Sequence, residues 1–146
     1  MGLFDKVLGS STIDKLSEAE GMAGVALCAI AADGQITEEE ASGLGTTLSR
    51  MQLYNGMSNK QVNDVFGKLV KVVRQSGVDA LLNMSAQSIR PELKPTAFAV
   101  AADLIMADGH VDGKEKQFLE RIQKTLGVSD DLALKVVEVI AIKNRG

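Results

Sequence analysis

Val25-Ala26-Leu27-Cys28-Ala29-Ile30-Ala31-Ala32-Asp33-Gly34-Gln35-Ile36-Thr37-Glu38-Glu39-Glu40 runs apolar for a little over two helical turns and then breaks into a glycine turn followed by acids. Val100 to Glu115 repeats it without a gap. The two stretches share Val25/Val100, Ala26/Ala101, Ile30/Ile105, Ala32/Ala107, Asp33/Asp108, Gly34/Gly109 and Glu40/Glu115, seven identities in sixteen positions, and Ile36 is matched by Val111. Both copies fit A-D-G-x-[IV]-[TD]-x-x-E, so the pattern reads as an internal duplication of a helix, a tight turn and the start of a second helix.

Working outward, the segments on either side carry the 3.6-residue periodicity of helices and none alternates as a half-buried strand would. Ser10, Ser11 and Thr12 offer caps for a long first helix running to about Ala32, polar in its first half and apolar in its second. A second helix is expected from Thr37, with Leu44, Leu48 and Met51 on one face, stopping near Asn55-Gly56. Ser58 and Gln61 form a capping-box pair for a third, whose stripe is Val62, Val65, Phe66, Leu69, Val70 and Val73, ending at Gly77. A shorter helix over Val78 to Ile89 follows. Pro95 is then expected at the first position of a helix running to Ala107, apolar apart from Asp103 and expected to be the most buried element. Beyond the second turn, Phe118, Leu119, Ile122 and Leu126 face the core until Gly127, and Ser129 caps a last helix with Leu132, Val136, Val139 and Ile140 on one side. The expected architecture is all-α: about seven helices in a single bundle, one domain over residues 1–146, with an internal pseudo-twofold duplication.

Composition supports this and removes several functions. The chain has 146 residues, 45% of them hydrophobic and only 3% aromatic, which suits closely packed helices. Sixteen basic against 19 acidic residues leave a formal charge of −3, too acidic for a surface that tracks nucleic-acid phosphates. Arg90, Lys94 and the Lys143 to Arg145 tail are too sparse to form such a patch. The single cysteine, Cys28, has no internal disulfide partner and lies in an apolar run where a packed thiol is expected rather than a nucleophile. No apolar run reaches the roughly 18 residues of a membrane span, because Asp33 ends one and Asp103 interrupts the other. A cytoplasmic location is expected, with no secretory signal.

The start is a short amphipathic segment over residues 1–9, in which Leu3, Phe4, Val7 and Leu8 share one face. Gly2 would suit myristoylation, but Lys6 stands where that motif has Ser or Thr. The apolar face can rest on the protein's own core, which is the commoner arrangement, or on a lipid interface.

As a calcium loop, the turn matches only the back half of an EF-hand: Asp33, Gly34, Ile36, Thr37 and Glu40 would hold positions five, six, eight, nine and twelve. Positions one and three are Ala29 and Ala31 in the first copy and Leu104 and Met106 in the second, none of which can bind a hard cation. Two readings of the turn stay open. In one, Thr37 with Glu40 and Asp112 with Glu115 are capping boxes, Gly takes a positive φ, and Ile36 and Val111 plug the corner. In the other, the cluster of Asp33, Glu38, Glu39 and Glu40 is joined by a divalent cation, since oxygen-only donors suit calcium, magnesium or manganese over zinc. His110, the one histidine, has no second His or Cys at ligand spacing and reads as a solvated turn residue. No nucleophile, base and orienter constellation is visible, so an enzyme is not expected.

The start M-G-L-F-D-K-V, the all-helical pattern and the paired turns at Ala32 to Glu40 and Ala107 to Glu115 resemble the TerB family of tellurite resistance proteins over the whole chain. The resemblance implies an all-helical cytoplasmic fold with pseudo-twofold duplication, a place in the bacterial tellurite and general stress-response system, and an acidic surface for divalent metal. Carried over by position, it implicates Asp33, Glu40, Asp108 and Glu115, with Thr37 and Asp112 as the variable capping position; the acidic cluster itself adds Glu39 as a further possible donor. Gly113 and Lys114 replace Glu38 and Glu39, which sets the second turn apart. The resemblance also implies protein partners of the same system, some membrane-embedded, for which Leu3, Phe4 and Val7 would be one contact surface. The alternative is a helical adaptor whose turns are structural caps only; the oligomeric state is left open.

Overall fold

Ser17 decides where the first helix begins. Its Oγ accepts the Glu20 N–H at 3.1 Å while its own N–H donates to Glu20 Oε1 at 2.8 Å, a reciprocal capping box. Helix α1 therefore spans Glu18–Ile30. In the computed structural model, which describes residues 15–31, 44–46, 48–107 and 109–145, Lys15 to Ser17 are non-helical. The expected start at Ser10 to Thr12 is thus corrected, because the capping box of Ser17 and Glu20 opens this helix at Glu18; the three earlier residues lie outside the described ones.

The second helix, α2, is described at residues 44–46 and 48–49 and gives way to a 3₁₀ turn, Gln52–Tyr54. It stops short of the expected Asn55-Gly56, although Gly56 does adopt a positive φ of 90°. The tighter turn carries the Tyr54 ring into the core, where its hydroxyl donates to Ala19 O at 2.6 Å. Helix α3, Asn59–Ser76, opens with the expected Ser58 and Gln61 capping box, and Gly77 with a φ of 91° turns the chain into α4, Val78–Ser88. A 3₁₀ turn, Pro91–Leu93, leads into α5, Lys94–Ile105, so Pro95 stands one position further in than expected. Helix α6 spans Gly113–Leu126 and stops at Gly127 with a left-handed φ of 72°. Helix α7 spans Asp130–Lys143, its first turn capped by Ser129 Oγ accepting the Leu132 N–H at 3.2 Å. Seven helical segments and no strand make the described residues all-α.

α1 is the hub. It packs against α3, α4, α5 and α6, and every residue from Gly21 to Ala29 is buried. The expectation that the Pro95 helix is the most buried is corrected: α5 buries Ala97, Phe98, Ala101, Ala102 and Ile105 but leaves an edge on which Asp103 is partly exposed. The two apolar helices do pack on each other at the centre. Phe66, Leu69 and Val72 of α3, Leu81 and Leu82 of α4, and Phe118, Ile122 and Leu126 of α6 complete the same buried cluster.

The last helix departs from its expected face. α7 packs chiefly on α5 and buries only Ala133 and Ile140, with Val136 and Val137 half-covered. Leu132 and Val139, expected in the core, are exposed. A helix apolar on more than one side with a single main neighbour cannot bury all of it. The pseudo-twofold relation remains a sequence reading, since the first acidic turn lies outside the described residues. No described helix is long and apolar enough to cross a membrane.

Candidate functional site

The second acidic turn is built by the helices on either side of it. α5 ends at Ile105, the chain turns through Met106 and Ala107, and Gly109 with a φ of 80° donates its N–H to Met106 O at 3.1 Å. A residue with a Cβ would be strained there, which accounts for glycine at this point of the repeated pattern. Val111 packs half-buried against the core and plugs the corner as expected. Asp112 then caps α6: its Oδ1 accepts the Glu115 N–H at 2.7 Å, and Glu115 Oε1 accepts the Asp112 N–H at 3.2 Å. Both carboxylates sit at the positive end of the helix dipole, an arrangement that is favourable without a metal.

This turn is also gripped from the far end of the chain. Asn144 Nδ2 donates to Met106 O at 2.9 Å, and Lys143 Nζ lies 3.0 Å from Asp103 Oδ1. Asp103 therefore has the partner that a polar residue in an apolar helix requires, at an edge that water reaches. Nothing in the sequence around Lys143 and Asn144 signals this role. No local pattern marks a contact between residues 38 apart in the chain.

Of the residues singled out for metal, the described ones are Asp112 and Glu115, brought together by the capping box. Asp33, Thr37, Glu39, Glu40 and Asp108 lie outside the described residues, as do Leu3, Phe4 and Val7. Among the described residues no group of three or more His, Cys, Asp or Glu could hold a metal ion. The two carboxylates fit a hard cation in donor type, and each has a second oxygen beyond the one used in capping. The EF-hand positions that lack oxygen donors are apolar and packed inward: Ala29 and Ala31 are buried, and Leu104 and Met106 lie half-buried against the core. His110 is exposed in the turn, between the two helices.

Two other candidates resolve as structure. Cys28 is fully buried, and its thiol approaches Val78 O at 3.6 Å. Burial first, and the negative charge of Asp79 second, push the thiol well above its ordinary range, so it is a packing residue and a poor nucleophile. At the opposite end of α1, Glu20 meets Lys68, with Nζ 2.9 Å from Oε1 and 3.0 Å from Oε2. Burial alone would raise this carboxyl; the Ser17 N–H bond and the Lys68 ammonium outweigh it and hold it below its usual value.

A family model described as Tellurite resistance protein TerB matches residues 20–135 of the chain, from α1 into α7 and across both turns. No curated protein and no solved structure shows a match.

Proposed function

The chain belongs to the TerB family of tellurite resistance proteins, and from that premise we propose that it serves tellurite resistance and the stress response without turning over a substrate. It holds a divalent cation, calcium, magnesium or manganese, at its acidic turns. Asp33 and Glu40 of the first turn and Asp108 and Glu115 of the second are the principal donors, with Thr37, Glu39 and Asp112 as further oxygen sources. When bound, the cation neutralises the mutual repulsion of these carboxylates and stiffens the turn. The observation that carries this reading is the Asp112 and Glu115 pair. Its reciprocal hydrogen bonds hold two carboxylates together at an exposed turn, beside a glycine that the turn geometry requires.

The same observation favours a second reading. A complete capping box stabilises α6 without metal, so the turns can be caps alone and the protein a helical adaptor. In either reading the chain is one cytoplasmic domain over residues 1–146. Its partners are other proteins of the resistance system, membrane-embedded ones included, and Leu3, Phe4 and Val7 form one contact and allow peripheral association with the bilayer.

Calorimetric titration of the chelator-treated protein with calcium, magnesium and manganese, with zinc as the control, separates the two. Saturable binding that disappears in Asp33→Asn/Glu40→Gln or in Asp108→Asn/Glu115→Gln places the cation in that turn. Heats no larger than dilution at about 1 mM metal, far above a sensor's range, with both variants folded, leave the adaptor reading.

A further inference from the structure

Met22, Met51, Leu53 and Leu93 line a cavity of about 420 Å³, with Arg90 among its walls. Met22 comes from α1, Met51 and Leu53 from the Gln52–Tyr54 turn and the residue before it, and Leu93 from the turn that leads into α5. Met22 is fully buried, whereas Met51, Leu53 and Leu93 are only half-covered. Apolar walls give water few partners, so a cavity of this kind favours an apolar occupant. Two methionines suit an aromatic one, because the flexible thioether adapts to a ring and gains from contact with it.

The cavity lies beside the point where the described chain begins. Glu18 Oε2 accepts the N–H of Arg90 at 3.0 Å, and Met22 stands one helical turn, about 6 Å, further along the same face of α1. Leu16 is buried in the core and fixes the chain just before this helix, with Lys15 exposed beside it. Lys15 is thus at most about 16 Å from Met22, and the five residues Ser10 to Asp14 span up to about 17 Å, so residues 1–9 reach the cavity. Residues 32–43, which also lie outside the described ones, leave α1 at its other end, about 14 Å beyond Met22. On a helix, at about 100° per residue, Leu3, Phe4, Val7 and Leu8 fall within an arc of about 140°, with Asp5 and Lys6 outside it. Nine residues are too few for a helix to hold by itself in water, so this segment needs a surface for its apolar face. A tether this short keeps it beside the cavity at an effective concentration that a free partner has to outcompete.

We infer that this cavity is the docking site of the chain's own residues 1–9, with Phe4 entering between Met22, Met51 and Leu93. Docking turns the apolar face of the segment inward. The contact surface assigned above to Leu3, Phe4 and Val7, on which this consequence rests, is then offered to partners only when the segment is released.

Nuclear magnetic resonance of the full chain, with its methionine methyl groups labelled, tests this. Cross-peaks are expected from the ring of Phe4 to the methyl groups of Met22 and Met51. In Phe4→Ala these cross-peaks should vanish and both methyl resonances should shift, while those of Met84 and Met106, which do not line the cavity, hold still and show that the fold is kept. Absence of the cross-peaks, or Met22 and Met51 resonances indifferent to Phe4→Ala, would overturn the inference and leave the reading of Leu3, Phe4 and Val7 as a partner contact standing. Cross-peaks that strengthen with protein concentration would place the segment in the cavity of a second copy and overturn it as well.

Discussion

Ser85 Oγ fills the space in which a Cβ on Gly24 would stand, and the two cannot coexist unless the hydroxyl turns away or a helix moves. One helical turn earlier, a Cβ on Gly21 would come within 2.9 Å of Ser85 O. Glycines on α1 and small residues on α4 thus let two backbones approach at the hub of the fold. The Ser85 hydroxyl is fully buried and has no hydrogen-bond partner among the described residues.

Gly24→Ala should therefore destabilise the protein by about 1–3 kcal/mol, in spite of the roughly 1 kcal/mol that alanine gains over glycine inside a helix. Ser85→Ala should be neutral or stabilising by up to about 1 kcal/mol, since it removes a buried hydroxyl without a partner. In the Ser85→Ala background the nearest atoms left to the alanine at position 24 would be the β-carbon of residue 85 and Leu81 Cδ1, both at 3.3 Å, and its cost should shrink. A double-mutant cycle by urea unfolding reads the coupling. Equal costs in both backgrounds would show that the hydroxyl is not the obstacle.

The helices were legible where periodicity and caps agree. Ser58 with Gln61, Asp112 with Glu115, and Ser129 each mark a start that the structure confirms, and Gly127 marks a stop. Ser17 with Glu20 carries the same signature, yet the polar stretch before it offers rival caps, and local pattern cannot rank them. Neighbours were not legible. The apolar pattern of α7 shows that several of its faces could be buried but not that α5 is its main neighbour among the described residues. At the candidate site the capping box and the glycine turn were readable from spacing, whereas the grip of Lys143 and Asn144 on Asp103 and Met106 depends on tertiary packing.

Acid stability should depend on Glu20. Its carboxyl is held below the unfolded value of 4.5, so the unfolded chain binds the proton more tightly. The stabilisation is present above pH 4.5 and is lost as pH falls through the lower, folded value. Glu20→Gln keeps an amide oxygen for the Ser17 cap but cannot titrate. Between neutral pH and about pH 3, the unfolding midpoint of Glu20→Gln should fall less steeply than that of the wild type. Parallel curves would mean that other carboxylates govern the acid limb.

Cys28 should be silent in the native protein. With its thiol buried and its ionisation suppressed, an aromatic disulfide reagent at neutral pH should modify it only as fast as the helices around it open. Adding urea well below the unfolding midpoint should raise the rate in step with the unfolded population. Rapid modification of the fully folded chain would contradict the packing role and reopen the thiol as a reactive site.

Asp112 allows cap and cation to be told apart within a single residue. Asp112→Ala removes the oxygen that accepts the Glu115 N–H and should cost about 1 kcal/mol with or without metal. Asparagine is nearly as good an N-cap as aspartate, so Asp112→Asn should keep metal-free stability within about 0.5 kcal/mol of the wild type while losing a formal charge. A cation bound at this turn stabilises the native state by mass action, about 2.7 kcal/mol at a hundred times its dissociation constant. The metal-binding reading thus expects the unfolding midpoint of the wild type to rise with added calcium, magnesium or manganese, and expects that rise to shrink in Asp112→Asn. The cap-only reading expects no rise in either protein and a deficit in Asp112→Ala alone. Thermal unfolding of the three chains, with chelator and with metal, decides between them, because the substitution that preserves the cap is the one that weakens the cation's hold.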